Sequence, residues 1–130
     1  DDYAHHPTEI DAVYESIKEM YPTQKNAVVF QPHLFSRTRD FIEDFALSLS
    51  RFDEILLLDI YPAREMPIEG VTSSWLLEKI TNKNKKITYK NFLVKDIKNS
   101  EATIVTMLGA GDIGMMVEEV KNDLIYKVKL

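Results

Sequence analysis

A chain of 130 residues with 45% apolar side chains is sized for one globular domain with a substantial core. It contains no cysteine, which excludes a disulfide scaffold and thiolate chemistry, and its net charge of -5 argues against general nucleic-acid binding, where a basic face is expected. No apolar run approaches the roughly 18 residues of a membrane span, and no basic, hydrophobic leader is read ahead of Asp1, so a cytoplasmic protein is expected. The start without methionine reads as that of a fragment. Acids crowd the first helix region and lysines recur over residues 79–98; both read as solvated surface.

In chain order, Pro7 opens a helix at the position where its missing N–H costs nothing, Ile10, Val13, Ile17 and Met20 follow at helical spacing, and Tyr21-Pro22 ends it. "NAVVFQP" (26–32) is β-branched and aromatic, a buried strand. A helix is expected over 37–51, with Phe41, Phe45 and Leu49 on its inner face. "EILLLDI" (54–60) is apolar throughout rather than alternating, which marks a strand buried on both faces. Thr72 or Ser73 caps a helix carrying Trp75, Leu76 and Ile80; "KITYK" (86–90) is a short edge strand. "EATIVTML" (101–108) is a third core strand, followed by a helix over 112–123 and an alternating tail, "LIYKVKL". Strands alternating with helices predict a three-layer α/β domain with a mostly parallel sheet and helices on both faces. In such sheets ligands bind beyond the carboxyl ends of the strands, so the loops there are the places to look.

The loop after Phe30 reads "QPHLFSRTRD". Ser36 as N-cap would put Arg37 and Arg39 in the first helical turn, where cations are disfavoured unless they help hold an anion, with His33 beside them. The alternative is that both arginines reach solvent or nearby acids such as Asp40 and Glu43. Asp59, at the end of the second strand, could orient a ligand or cap a turn. "GAGDIG" (109–114) matches G-x-G-x-x-G between a strand and a helix, but it stands in the last such unit, with no second strand and ribose-binding acid downstream. It therefore reads as a ligand-facing turn rather than a dinucleotide fingerprint, and a dehydrogenase half-domain is excluded. "DDYAHHP" would be a fourth loop of the set, if a strand lies ahead of it. His5 and His6 are adjacent and point apart in extended backbone, so they do not make a metal site; Tyr3 and the two imidazoles suit a nucleotide or substrate instead.

Taken together and in order, "DDYAHHPTEI", "FQPHLFSRTRDFIEDF", "LLLDIYPAREMPIEGV" and "GAGDIG" resemble the C-terminal domain of the Mur ligases, which build the peptide of peptidoglycan. The stretch "FQPH…SRTRD" is most similar to the members that add L-alanine to UDP-N-acetylmuramate; the murein peptide recycling ligases share a similar entry motif. The resemblance implies a three-domain enzyme whose N-terminal domain binds the UDP-sugar, whose central domain is an ATPase, and whose C-terminal domain, residues 1–130 here, is a Rossmann-like lid beginning one strand upstream of Asp1. It implies that ATP and Mg2+ turn the muramoyl carboxylate into an acyl phosphate, which the amine of L-alanine attacks with release of phosphate. "GAGDIG" lacks the Lys-Ser/Thr of a P-loop, so the fragment is expected to be inactive alone, with no catalytic residue and no metal site of its own.

By the same resemblance Asp2, Tyr3, His5 and His6 face ATP, while His5, His33 and Arg37 face the amino acid, Arg37 being the partner of the alanine carboxylate. Asp59, Tyr61, Gly109, Gly111 and Asp112 are expected to line the same crevice. Many members carry an arginine directly after the histidine; Leu34 stands there in this chain and leaves the carboxylate grip to Arg37. The implied partners are L-alanine, ATP, UDP-N-acetylmuramate and the chain's own central domain, with no nucleic acid and no membrane. A stand-alone nucleotide-binding regulatory module is the competing reading from a different class.

Overall fold

The computed structural model describes residues 6–109 and 113–123. Helix α1 (Pro7–Met20) leads to strand β1 (Asn26–Gln31), then α2 (Phe35–Asp40), α3 (Ile42–Ser50) and β2 (Glu54–Leu57). Helix α4 (Ser73–Lys79), β3 (Lys85–Ile87), α5 (Leu93–Lys98), β4 (Ile104–Gly109) and α6 (Ile113–Asp123) complete the order. The four strands are parallel and lie in the order β3-β2-β1-β4. Their apolar residues divide by parity, because successive side chains of a strand point to opposite faces. Val28, Phe30, Ile55, Leu57, Ile104 and Leu108 pack with Ile10, Phe45, Leu49 and Leu76 on the side of α1, α3 and α4. Ala27, Val29, Leu56, Leu58, Val105 and Met107 pack with Leu93, Ile97, Val117 and Val120 on the side of α5 and α6. A sheet covered on both faces needs strands with no polar side, which is why these segments read as unbroken apolar runs.

The α1 assignment holds from cap to cap, although Met20 is 63% exposed and belongs to the solvent side of the helix rather than to the core. Thr72 caps α4 by accepting a hydrogen bond from the Trp75 amide at 3.0 Å. The helix expected over 37–51 starts earlier, at Phe35, and divides at Phe41, whose φ of -117° and ψ of 24° interrupt the helical backbone. Strand β2 ends at Leu57, short of the expected Ile60; the Leu58 amide still donates to the Phe30 carbonyl at 3.0 Å, and parallel pairing recurs as a bridge between His33 and Tyr61. Strand β4 begins only at Ile104, where the amides of Thr103 and Ile104 both reach the Lys25 carbonyl. Helix α5 has no counterpart in the sequence reading: its apolar spacing, Leu93 and Ile97, is one turn long and set among lysines. The tail over 124–130 lies outside the described residues.

From β1 the chain crosses to β2 and β3 on one side, and β4 returns to the other side of β1. The order therefore reverses between β1 and β4, whose last residues, Gln31 and Gly109, are register partners. That is the position where open α/β sheets carry their crevice.

Candidate functional site

The loops that leave β1 and β2 are zippered together beyond the sheet. Tyr61 donates its amide to the Pro32 carbonyl at 2.8 Å, and Leu34 donates to the Tyr61 carbonyl at 2.9 Å. The rings of His33 and Tyr61 consequently stack, with centroids 5.8 Å apart and planes 13° from parallel. Arg37, one turn along α2, brings Nη1 to 3.1 Å from His33 Nδ1. A guanidinium has only donors, so Nδ1 accepts this bond. Arg39 and Arg51 pair with carboxylates, Arg39 with Asp40 and Arg51 with Asp11 and Glu15. Arg37 pairs with no carboxylate among the described residues. Arg37 is half-buried, and its hydrogen bond to His33 holds the guanidinium beside the β1 loop.

The start of α2 differs from the sequence expectation. Leu34, not Ser36, is the N-cap residue, and it offers no side-chain cap. The cap comes from the β2 loop instead: Glu65 Oε1 accepts the Ser36 amide at 3.0 Å, and Glu65 Oε2 accepts the Ser36 hydroxyl. That hydroxyl, followed by the Ser36 amide, holds the Glu65 carboxyl below its ordinary value, and Arg39 adds to the effect. The Glu65 carboxylate thus fills the capping role expected of Ser36. Nothing in the local sequence marks it, since Glu65 is 29 residues from Ser36. The zippering holds Leu34 at φ 73° and Ala63 at φ 54°, conformations that a β-carbon disfavours. Non-glycine residues are kept there only when their surroundings over-determine them, and strain of that kind concentrates at binding sites.

A separate opening lies where β1, β2 and β3 end. A cleft of about 260 Å³ is lined by Gln31, Leu58, Asp59, Thr88, Tyr89 and Lys90. Asp59 presents an exposed side chain at its rim, and the Asp59 carbonyl accepts a long 3.4 Å bond from Gln31 Nε2. Gly109 ends β4 opposite Gln31 in the register. Its φ is 149°, and a β-carbon there would lie 2.8 Å from the Gln31 carbonyl, so only glycine allows β4 to approach β1 this closely. His6, by contrast, is a helix cap: Nδ1 accepts from the Thr8 amide at 3.3 Å, and the ring packs on Phe41 at 4.8 Å. The contact with Phe41, between α2 and α3, places the start of α1 at the same end of the sheet as Arg37.

The structure thus brings His33, Arg37 and Tyr61 into one cluster, while Asp59 lines a separate cleft, Gly109 pairs with Gln31 at the end of β4, and His6 caps the neighbouring helix start. Asp2, Tyr3, His5, Gly111 and Asp112 lie outside the described residues. Glu65 is not among the site residues the sequence suggests. Among the described residues no group of three or more His, Cys, Asp or Glu is placed to hold a metal ion, and no helix is long and apolar enough to cross a membrane.

Four parallel strands covered by helices on both faces define a doubly wound α/β domain. The family described as "Mur ligase, glutamate ligase domain" matches residues 1–117, and the chain belongs to the Mur ligases as their C-terminal domain. The UDP-N-acetylmuramate–L-alanine ligase of Flavobacterium psychrophilum is 64% identical over 98% of this chain, and that of Christiangramia forsetii is 63% identical over 98%. The chain spans about 28% of the length of these relatives. A murein peptide ligase from Psychrobacter arcticus superposes with a TM-score of 0.68 over the whole of this chain and 28% of its own, at 16% identity, which is a likeness of fold.

Proposed function

We propose that this chain is the amino-acid-positioning domain of an ATP-dependent ligase that joins L-alanine to UDP-N-acetylmuramate. The observation that carries the reading is Arg37, an arginine fixed by His33 and α2 at the crevice mouth with no carboxylate partner among the described residues. A guanidinium is suited to gripping a carboxylate through paired N–H bonds, and the free carboxylate of L-alanine is the anion it would hold. Tyr61 braces the His33 ring, and the Glu65 bonds to Ser36 hold the first turn of α2, so the guanidinium is supported from both loops.

In this reading the domain closes over an ATPase domain supplied by the longer protein. Closure brings the amine of alanine to the activated muramoyl carboxyl and keeps water away from it. ATP supplies the activation; of the residues expected to face it, Asp2, Tyr3 and His5 lie outside the described set, and His6 keeps Nε2 for a ligand because Nδ1 caps α1. Among the described residues no group of three or more His, Cys, Asp or Glu is placed to hold Mg2+. The test is phosphate release from ATP by the intact enzyme with UDP-N-acetylmuramate, across a panel of amino acids and a tripeptide. Release that depends on L-alanine is expected. Dependence on the tripeptide would reassign the protein to peptide recycling, and no release with any acceptor would leave only a nucleotide-binding module.

A further inference from the structure

Helix α2 is six residues long, stops at the break at Phe41 and receives no bond from the side chain of its own N-cap residue. A helix that short does not hold itself in water, so what fastens its ends decides how it sits. Leu34, just before it, donates its amide to the Tyr61 carbonyl at 2.9 Å and accepts the Thr38 hydroxyl at 2.8 Å. Within the first turn the fastening is Glu65: Oε1 accepts the Ser36 amide at 3.0 Å, Oε2 accepts the Ser36 hydroxyl, and the Phe35 amide adds to the hold. Two bonds to one residue fix both the place of the first turn and its rotation about the helix axis. Ser36 directly precedes Arg37. Glu65 makes no ion pair among the described residues, and the nearby Arg39 is turned to Asp40, so the carboxylate is committed to α2 rather than to a guanidinium.

We propose that Glu65 is a positioning residue for amino-acid recognition: through Ser36 it sets the direction of the Arg37 guanidinium, and so the affinity for the carboxylate of L-alanine, without touching the substrate. The inference rests on the function proposed above and goes beyond it in giving the β2 loop control of alanine affinity. The loop delivers this carboxylate from a tight turn. Tyr61 donates to the Pro32 carbonyl at 2.8 Å, the Glu65 amide returns to the Pro62 carbonyl at 2.9 Å, and Ala63 between them is held at φ 54°. One turn therefore carries both the ring that stacks on His33 and the acid that grips Ser36. His33 holds the guanidinium end of Arg37 at 3.1 Å, and Ser36 holds its backbone end. A side chain held at both ends meets its ligand already oriented, and binding costs it less conformational freedom.

The experiment uses the intact ligase and reads KM for L-alanine and for ATP in Glu65→Ala, Glu65→Gln and Ser36→Ala, with Glu65→Ala repeated in the Arg37→Ala background. Glu65→Ala should raise KM for alanine about tenfold and leave KM for ATP within about twofold. Glu65→Gln keeps the reach and an acceptor for the Ser36 amide, so it should recover most of the alanine affinity. In the Arg37→Ala background Glu65→Ala should change KM for alanine by less than about twofold, because its effect passes through Arg37. A further rise of about tenfold in that background overturns the proposal. So does an unchanged KM for alanine, or an equal rise for ATP, in the single variant. If Glu65→Ala does not fold, Ser36→Ala, which removes only the hydroxyl bond, decides: about a threefold rise in KM for alanine is expected, and no rise overturns the proposal. Phosphate release independent of alanine in the wild type would instead defeat the functional reading with Glu65 untouched.

Discussion

The two ends of the sheet are built from the same materials and spend them differently. At the amino end, Asn26 and Asp53 exchange hydrogen bonds, Asp53 Oδ2 with the Asn26 amide at 2.9 Å and Asn26 Oδ1 with the Asp53 amide at 3.0 Å. Ser100 donates to Glu54, Lys25 pairs with Glu101 at 2.9 Å, and Asn84 caps the Asp53 carbonyl at 3.2 Å. A polar cleft lies there too, but its side chains mostly satisfy each other. At the carboxyl end the loops are also cross-linked, yet among the described residues Arg37 has no carboxylate partner and Gln31 Oε1 no donor. All the positive-φ residues among the described ones, Leu34, Ala63, Gly70 and Gly109, stand at this end. The amino end is mostly satisfied by its own side chains, while the carboxyl end carries the positive-φ backbone.

The largest effect separating the two ends is expected at Arg37. Arg37→Ala in the intact ligase should raise KM for L-alanine tenfold to a hundredfold, the loss of a charge-assisted contact of about 1.5–3 kcal/mol, with KM for ATP unchanged. Gly109→Ala should act on both stability and substrate: the new β-carbon meets the Gln31 carbonyl, and the strain should cost about 1–3 kcal/mol in chemical unfolding while raising KM for alanine. Asn26→Ala should cost a similar amount, about 1–3 kcal/mol, by stripping the Asp53 amide of its acceptor, but leave KM for alanine where it was. A change in alanine KM in that variant would erase the contrast between the two ends.

Smaller effects sharpen it. Leu34→Gly should leave the protein at least as stable as the wild type, because relief of the positive φ offsets the added backbone entropy of about 0.5–1 kcal/mol. A clear loss of stability would mean that the Leu34 side chain, not the backbone, matters there. Glu65 titrates with a definite sign. Its folded-state carboxyl lies below the ordinary value of 4.5, held there by the Ser36 hydroxyl first, so its contribution is present above that value and disappears as pH falls through the folded one. Unfolding followed from neutral pH down to below 4.5 should show less acid sensitivity in Glu65→Gln than in the wild type.

The sheet was legible because its signals are local and repeated: unbroken apolar runs in β1, β2 and β4, a proline at the start of α1, a threonine cap on α4. Helix α5 was not, since a single turn with Leu93 and Ile97 among lysines carries no periodicity to detect. The break at Phe41 was equally invisible, because the apolar spacing runs through it. At the site, Arg37 stood out in the sequence as a cation in an unfavourable place, and His33 and Tyr61 join it through the bridge between two loops. Ser36 was assigned to the cap because the residue type fits; the actual cap, Glu65, comes from the other loop and depends on tertiary contact alone.

The central claim is that Arg37 recognises the carboxylate of the acceptor amino acid, and the most direct test varies both partners at once. Wild-type intact ligase and Arg37→Ala would each be assayed for phosphate release with L-alanine and with L-alaninamide, which keeps the amine and lacks the carboxylate. The account predicts that the wild type prefers L-alanine by about tenfold or more in kcat/KM and that Arg37→Ala loses most of that preference. A preference that survives intact in Arg37→Ala would contradict it and place the carboxylate grip on another group.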